Sequence, residues 1–155
     1  MTKLTYLIQV WGGCDSYLLK SLQIVQNKVA RVVTRKSWST PVKVLLSECG
    51  WLSVTQLATF HTVLLVFKVL QTGSPAALAG MFSTEYECAT RQASQGFIKP
   101  SSKKKVAKSG LVASSFRYRA LNQFNLLPAE IRNETCLIKF KHLTKKGILE
   151  NLPVD

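Results

Sequence analysis

Apolar positions recur along the chain at helical spacing in several stretches separated by turn-forming residues. From about Ser16 to Lys36, Leu18, Leu22, Val25, Val29 and Val32 alternate at steps of four and three, which is one face of a helix. Asp15 or Ser16 can cap its first turn by accepting from free backbone N–H groups. Lys20, Lys28, Arg31 and Arg35 fall on the side away from that stripe, so the pattern predicts an apolar back and a basic front. An ordinary amphipathic surface helix reads the same way.

A second, shorter helix is bracketed by Thr40 as a cap candidate, Pro41 at the first helical position and Gly50 past the end. Val42, Leu45 and Leu46 supply its apolar face. The third helix is predicted over Val54–Gln71. Ser53-x-x-Gln56 forms a capping box before it, and Gly73 and Pro75 close it. Leu57, Phe60, Leu64 and Phe67 make one stripe, and Val63, Leu65, Val66 and Val69 cover much of the rest. A helix apolar nearly all round belongs at the centre of a core. His61 within it reads as a satisfied core or boundary histidine rather than a ligand.

Ser74-Pro75 can start a short turn through Leu78 to Phe82. From Ser83 to Gly110 no period is sustained and Ser, Thr, Gln, Lys and Gly dominate, so a long mobile loop is expected. Order returns over Leu111–Phe124, where Ser115 to Arg119 alternates like a strand and Ala120 to Asn125 favours helix. A last helix is predicted from Cys136 to Lys146, with Thr135 as a cap candidate and Leu137, Phe140 and Leu143 facing inward. The expected fold is mostly α, a small helical bundle with a long basic loop and little or no sheet. Its parts are a helical body over residues 1–82, a basic polar loop over 83–110, and a C-terminal segment over 111–155 that packs on the body.

Composition adds a partner to this picture. The 155 residues suffice for one core, and a hydrophobic fraction of 46% argues against wholesale disorder. Against 8 acidic side chains stand 21 basic ones, a net charge of +13. It is unevenly placed. From Phe97 to Ala129 there is no acid, but there are Lys99, Lys103, Lys104, Lys105, Lys108, Arg117 and Arg119. Self-repulsion of this kind is relieved by a polyanion, of which nucleic acid is the first candidate. An acidic membrane surface, an acidic protein, or a merely solvated surface would fit the same charge.

Several chemistries lack their residues. Cys14, Cys49, Cys88 and Cys136 are spread wide with no C-x-x-C pair, and His61 and His142 are the two imidazoles, so no zinc ribbon or knuckle is indicated. No metal or other cofactor is expected. A disulfide framework is not expected either, since no secretory signal is apparent. The run Val63–Leu70 contains Lys68 and is shorter than the ~20 residues of a bilayer span. The expectation is an intracellular chain, nuclear or cytoplasmic, without a membrane partner. There is no glycine-rich phosphate loop.

Three groups of residues carry a family likeness. The first is Tyr6-x4-Trp11-Gly12 with Leu22-Gln23-x2-Gln26-Asn27-Lys28-x-Ala30-Arg31. The second is Cys49-Gly50-Trp51-Leu52, then Phe60, Phe67-Lys68, Pro75 and Arg91. The third is Ser115-Phe116-Arg117-Tyr118, Phe124-Asn125-Leu126-Leu127-Pro128, Ile131-Arg132 and Phe140-Lys141. In order and approximate spacing along nearly the whole chain, they resemble the C-terminal, post-palm segment of a LINE-type (non-LTR) retrotransposon reverse transcriptase of the jockey-like kind. Leu7 stands where that family usually has Gly, Cys49 where it has Leu, and Phe124 where it has Trp.

The resemblance implies a thumb-and-tail piece that binds and positions nucleic acid, with RNA or an RNA–DNA hybrid favoured. The paired metal-binding aspartates of such polymerases lie upstream of this segment, and the chain has no Asp-Asp. It is therefore expected not to be an enzyme by itself. The candidate phosphate contacts are Lys28, Arg31, Arg35, Lys103, Lys104, Lys105, Arg117 and Arg119. Tyr118, between two arginines, is a candidate stacking platform, with a packed core tyrosine as the alternative. A competing reading is an exapted structural or interaction module that binds a protein through its helical body.

Overall fold

A computed structural model describes residues 5–83, 97–100 and 115–151. The fold is mostly α. In chain order come α1 (Ile8–Trp11), α2 (Ser16–Thr34), α3 (Val42–Cys49), α4 (Val54–Thr72), α5 (Ala76–Ala79), β1 (Phe82–Ser83), β2 (Lys99–Pro100), α6 (Phe116–Asn125), α7 (Ala129–Arg132) and α8 (Leu137–Asn151).

α4 is the central element, touched by α1, α2, α6 and α8. Its capping box forms as the sequence predicts. Ser53 Oγ accepts from Gln56 N at 3.3 Å, and Gln56 Oε1 accepts from Ser53 N at 3.0 Å. Gly73 ends it in the left-handed region at φ 65°. By length and composition alone it is long and apolar enough to cross a bilayer, although half of its apolar window is covered by the fold. Its second half supplies Val63, Leu64, Val66, Phe67 and Val69 to the main core, joined by Phe82, Ile98, Leu121, Phe124, Ile131 and Phe140. Phe140 is fully buried, its ring stacked on Phe67 with centroids 4.0 Å apart and on Phe124 at 6.4 Å.

Local chemistry departs from the sequence expectations in several places. Of Ser115 to Arg119, which alternate like a strand, Phe116 onward is helical in α6 and Ser115 is its N-cap. Ser115 Oγ caps Tyr118 N at 3.4 Å, and the helix then buries Ala120, Leu121 and Phe124 on one side. Pro41 is the N-cap of α3 rather than its first residue, and Thr40 makes no cap bond. Gly50 ends α3 at φ 63°. Before α8 it is Cys136, not Thr135, that meets the first-turn N–H groups, those of Ile138 and Lys139, while the Glu134 carboxylate accepts from the preceding Thr135 and Cys136 N–H groups at 3.0 Å each. These two bonds hold the Glu134 carboxyl below its ordinary pKa.

Within the expected loop over 83–110, residues 83 and 97–100 are described, and they pair through Ser83 and Lys99. β2 pairs antiparallel with β1, Phe82 opposite Pro100 and Ser83 opposite Lys99. The Asn125 side chain holds Ile98 from both sides, accepting from Ile98 N at 2.9 Å and donating to Ile98 O at 3.1 Å. Arg132 donates to the end of α6, at Asn125 O and Leu127 O, and its guanidinium lies 3.8 Å over the Phe97 ring. Lys103, Lys104, Lys105, Lys108, Cys88 and Arg91 lie outside the described residues.

The largest difference concerns α2. Its valine stripe does not face inward: Leu18, Val25, Val29 and Val32 are exposed, Val32 by 79%. The buried face carries Gln26 and Ala30 instead. Gln26 Nε2 donates to Leu52 O at 2.8 Å, and Gln23 Oε1 accepts from Val54 N at 2.8 Å. The two amides satisfy the backbone of the α3–α4 connection, including a free N–H at the start of α4, so the polar side of α2 is the one that docks.

Leu7 sits at φ 48°, ψ 29°, the left-handed region, just before α1. A side chain there costs roughly 1–2 kcal/mol that glycine does not. Leu7→Gly is expected to stabilise the chain by about 1 kcal/mol, because the leucine is 52% exposed and little packing is lost; equilibrium denaturation measures it, and a loss of stability would refute the strain.

Candidate nucleic-acid interface

The C-terminal end of α2 gathers three of the residues singled out in the sequence. Lys28, Arg31 and Arg35 follow at steps of three and four, so they share one side of the helix. Lys28 and Arg35 are exposed and Arg31 is half-buried. The helix carries no acidic residue from Ser16 to Thr34. Arg35 itself takes the left-handed cap conformation at φ 53°, which turns the chain back toward the helix. That turn brings Trp38 under the Arg31 guanidinium, 5.0 Å from the ring centroid. Trp38 is 72% exposed. An arginine on one face leaves open indole surface beside Lys28 and Arg35, for which the described residues show no ion pair. The sequence reading missed Trp38 because nothing local marks it; the signal is the left-handed turn after α2.

Lys36 belongs to the same rim but is paired with Glu48 at 3.2 Å. Both partners are well exposed, so the pair contributes little stability. It does remove one lysine from the set available to phosphate.

The second group separates from the first. Tyr118 stands at the surface rather than in the core, 37% exposed. Arg117 is half-buried. Arg119 turns inward: its Nη2 donates to Gln9 O at 2.9 Å, and the guanidinium lies where a Cβ on Gly13 would meet it at 2.5 Å. Burial pushes its pKa down. Its contact therefore fastens α6 to the α1–α2 corner. Gly13 precedes α2 whereas Arg35 follows it, and at 1.5 Å per residue the two ends of that helix are about 28 Å apart. The structure does not bring Arg117, Tyr118 and Arg119 together with Lys28, Arg31 and Arg35.

A third basic region was not legible in the sequence. α4 and α8 pack against each other, so that Lys68 and Lys141 act on His61 and Lys145 shares a cavity lining with it. Burial, then the fields of Lys141 and Lys68, hold the His61 pKa below its ordinary 6.5, which favours neutral imidazole at pH 7. Lys145 Nζ donates to Gly50 O at 3.3 Å. Beside them opens a cavity of about 190 Å³ lined by Thr5, Gly50, Trp51, Leu52, Leu57, Phe60, His61 and Lys145. A larger cavity of about 470 Å³ lies between α4, α6, α7 and α8 and is lined by apolar groups with Thr59 and Gln123, without a charged side chain.

Among the described residues no group of three His, Cys, Asp or Glu side chains is placed to hold a metal ion. Cys14, Cys49 and Cys136 are free thiols. The Cys136 thiol lies at the head of α8, where the Lys139 and Ile138 N–H groups lower its pKa. No protein-family model matches the chain, and no curated protein and no solved structure matches it.

Proposed function

We propose that the chain is a nucleic-acid-binding segment, for RNA or an RNA–DNA hybrid, which binds and positions a strand inside the cell and carries no catalytic step of its own. The observation that carries this reading is the acid-free edge of α2, where exposed Lys28 and Arg35 flank the Arg31–Trp38 stack. The net charge of +13 and the acid-free stretch Phe97–Ala129 add attraction that does not depend on sequence. The motif resemblance to LINE-type reverse transcriptases supplies the preference for RNA-containing strands.

Phosphate contacts release counterions, so affinity must fall steeply with salt. For about five to seven contacts to a duplex the slope of log K against log salt is roughly −4 to −6, and shallower for a single strand. Lys103→Ala, Lys104→Ala and Lys105→Ala together are expected to flatten that slope by about two to three units. Lys28→Gln with Arg35→Gln should flatten it by about two. Trp38→Ala should instead weaken binding by about 1–3 kcal/mol with the slope unchanged, since stacking releases no ions. Filter binding across a salt series measures all three. Weak binding that none of these changes touches would end this reading.

One observation favours a second reading, a protein-interaction module. The stripe Leu18–Val25–Val29–Val32 is an exposed apolar strip along one helix, of the kind partner helices dock on. In that case Val25→Asp would abolish partner binding and leave nucleic acid unaffected.

A further inference from the structure

We propose that the cavity between the α3–α4 turn, α4 and α8 is a nucleotide pocket. In it Trp51 and Phe60 hold one nucleobase, and Lys145 on its lining, with Lys141 one turn along α8, holds its 5′-phosphate. The inference rests on the nucleic-acid reading above and gives it a second, structurally distinct site.

The walls have the chemistry of a base site. Trp51 and Phe60 are half-buried and line the cavity together with Leu57. Phe60 is fixed edge-on against His61 at 5.5 Å. A volume of about 190 Å³ falls below the ~300–1,000 Å³ of drug-sized sites and suits a single planar ring system. The rim has the chemistry of a phosphate site. Lys141 and Lys145 are one helical turn apart on α8 and both are exposed. Lys145 uses one donor on Gly50 O, and an ammonium has three. The charged groups that face His61 are Lys68 on its own helix and Lys141 on α8, with Lys145 on the shared cavity lining; the Gly50–Ser53 connection brings no ionisable side chain. Burial, then the fields of Lys141 and Lys68, favour the neutral imidazole. A phosphate beside it would raise the imidazole pKa, so binding should strengthen as pH falls toward 6.

The test uses the full chain with adenosine 5′-monophosphate, adenosine and inorganic phosphate as probes, read by tryptophan fluorescence and calorimetry. The mononucleotide is expected to quench Trp51 emission, and Trp51→Phe to remove that quench while leaving the fold intact by circular dichroism. Lys141→Ala with Lys145→Ala should weaken the mononucleotide about tenfold or more and adenosine hardly at all. His61→Gln should keep binding near pH 8 but lose the gain near pH 6. Adenosine binding as tightly as its monophosphate, inorganic phosphate binding as tightly as either, or indifference to the lysine pair would each overturn the proposal. A roughly 20-nucleotide single-stranded RNA is titrated in parallel. Quenching of Trp51 by the strand assigns the pocket to a nucleotide splayed from it, and quenching by the mononucleotide alone assigns it to free nucleotide. Salt-sensitive RNA binding with no Trp51 response to either the strand or the mononucleotide sinks the pocket and leaves the α2 interface standing. A Trp51 response with salt-insensitive RNA binding does the reverse.

Discussion

Phe140→Ala is expected to destabilise the chain by about 3–5 kcal/mol, the cost of truncating a buried aromatic ring. Phe140 has no exposed surface and lies against Phe67 and Phe124. The loss comprises the transfer energy of the ring, the cavity left between α4, α6 and α8, and the stacking itself. Against a total stability of about 5–15 kcal/mol for a domain, it takes much of the margin. Urea denaturation should show a markedly lower midpoint, and Phe140→Leu should recover part of it by refilling volume. An unchanged midpoint for Phe140→Ala would mean that α8 does not close the core.

The second large effect is expected on the polar face of α2. Gln23→Leu strips the Val54 N–H of its partner, and an unsatisfied donor in a covered site costs about 1–3 kcal/mol. Gln26→Leu strips Leu52 O but also removes the Gln26 Oε1 atom, which is buried without a partner. Its net cost should therefore be smaller than that of Gln23→Leu. Val29→Ser, on the stripe that hydropathy would place inside, should change stability by no more than about 0.5 kcal/mol. Thermal melts of the three variants decide between the two faces. A costly Val29→Ser with a harmless Gln23→Leu would turn the helix over.

That pair also marks the limit of what the sequence carries. α4 was legible end to end, because an all-round apolar run with a capping box and a closing glycine has one stable solution, and Leu64 and Phe67 are buried as its stripe predicts. The inward side of α8 was legible too, in Leu137, Phe140 and Leu143. The orientation of α2 was not. Apolar spacing ranks Val25 and Val29 above Gln23 and Gln26, and only the backbone groups at Leu52 and Val54, roughly thirty residues along the chain, reverse that order. The quoted motif Leu22-Gln23-x2-Gln26-Asn27 thus turns out to hold the fold together. Asn125 and Arg132 in the C-terminal group do likewise, clamping Ile98 and closing α6. Among the candidate cations, Arg119 went to structure because Gly13 leaves room for its guanidinium. Trp38 and the Trp51 cavity were invisible for the converse reason, since each depends on a neighbour supplied by another element or by a left-handed turn.

The central helix serves two unequal attachments. Its second half is embedded in the aromatic core, whereas its first half meets α2 through amide side chains, with the valine stripe of α2 left in solvent. Regions held by few buried apolar contacts open at lower free energy than the global transition. Ala30, Leu45 and Leu46 are buried in the α2–α3 pair but lie outside the aromatic cluster, so the pair is expected to open as a unit while the Phe67–Phe124–Phe140 stack persists. Backbone amides of Ser16–Cys49 would then exchange with solvent deuterium well before those of Val63–Phe67.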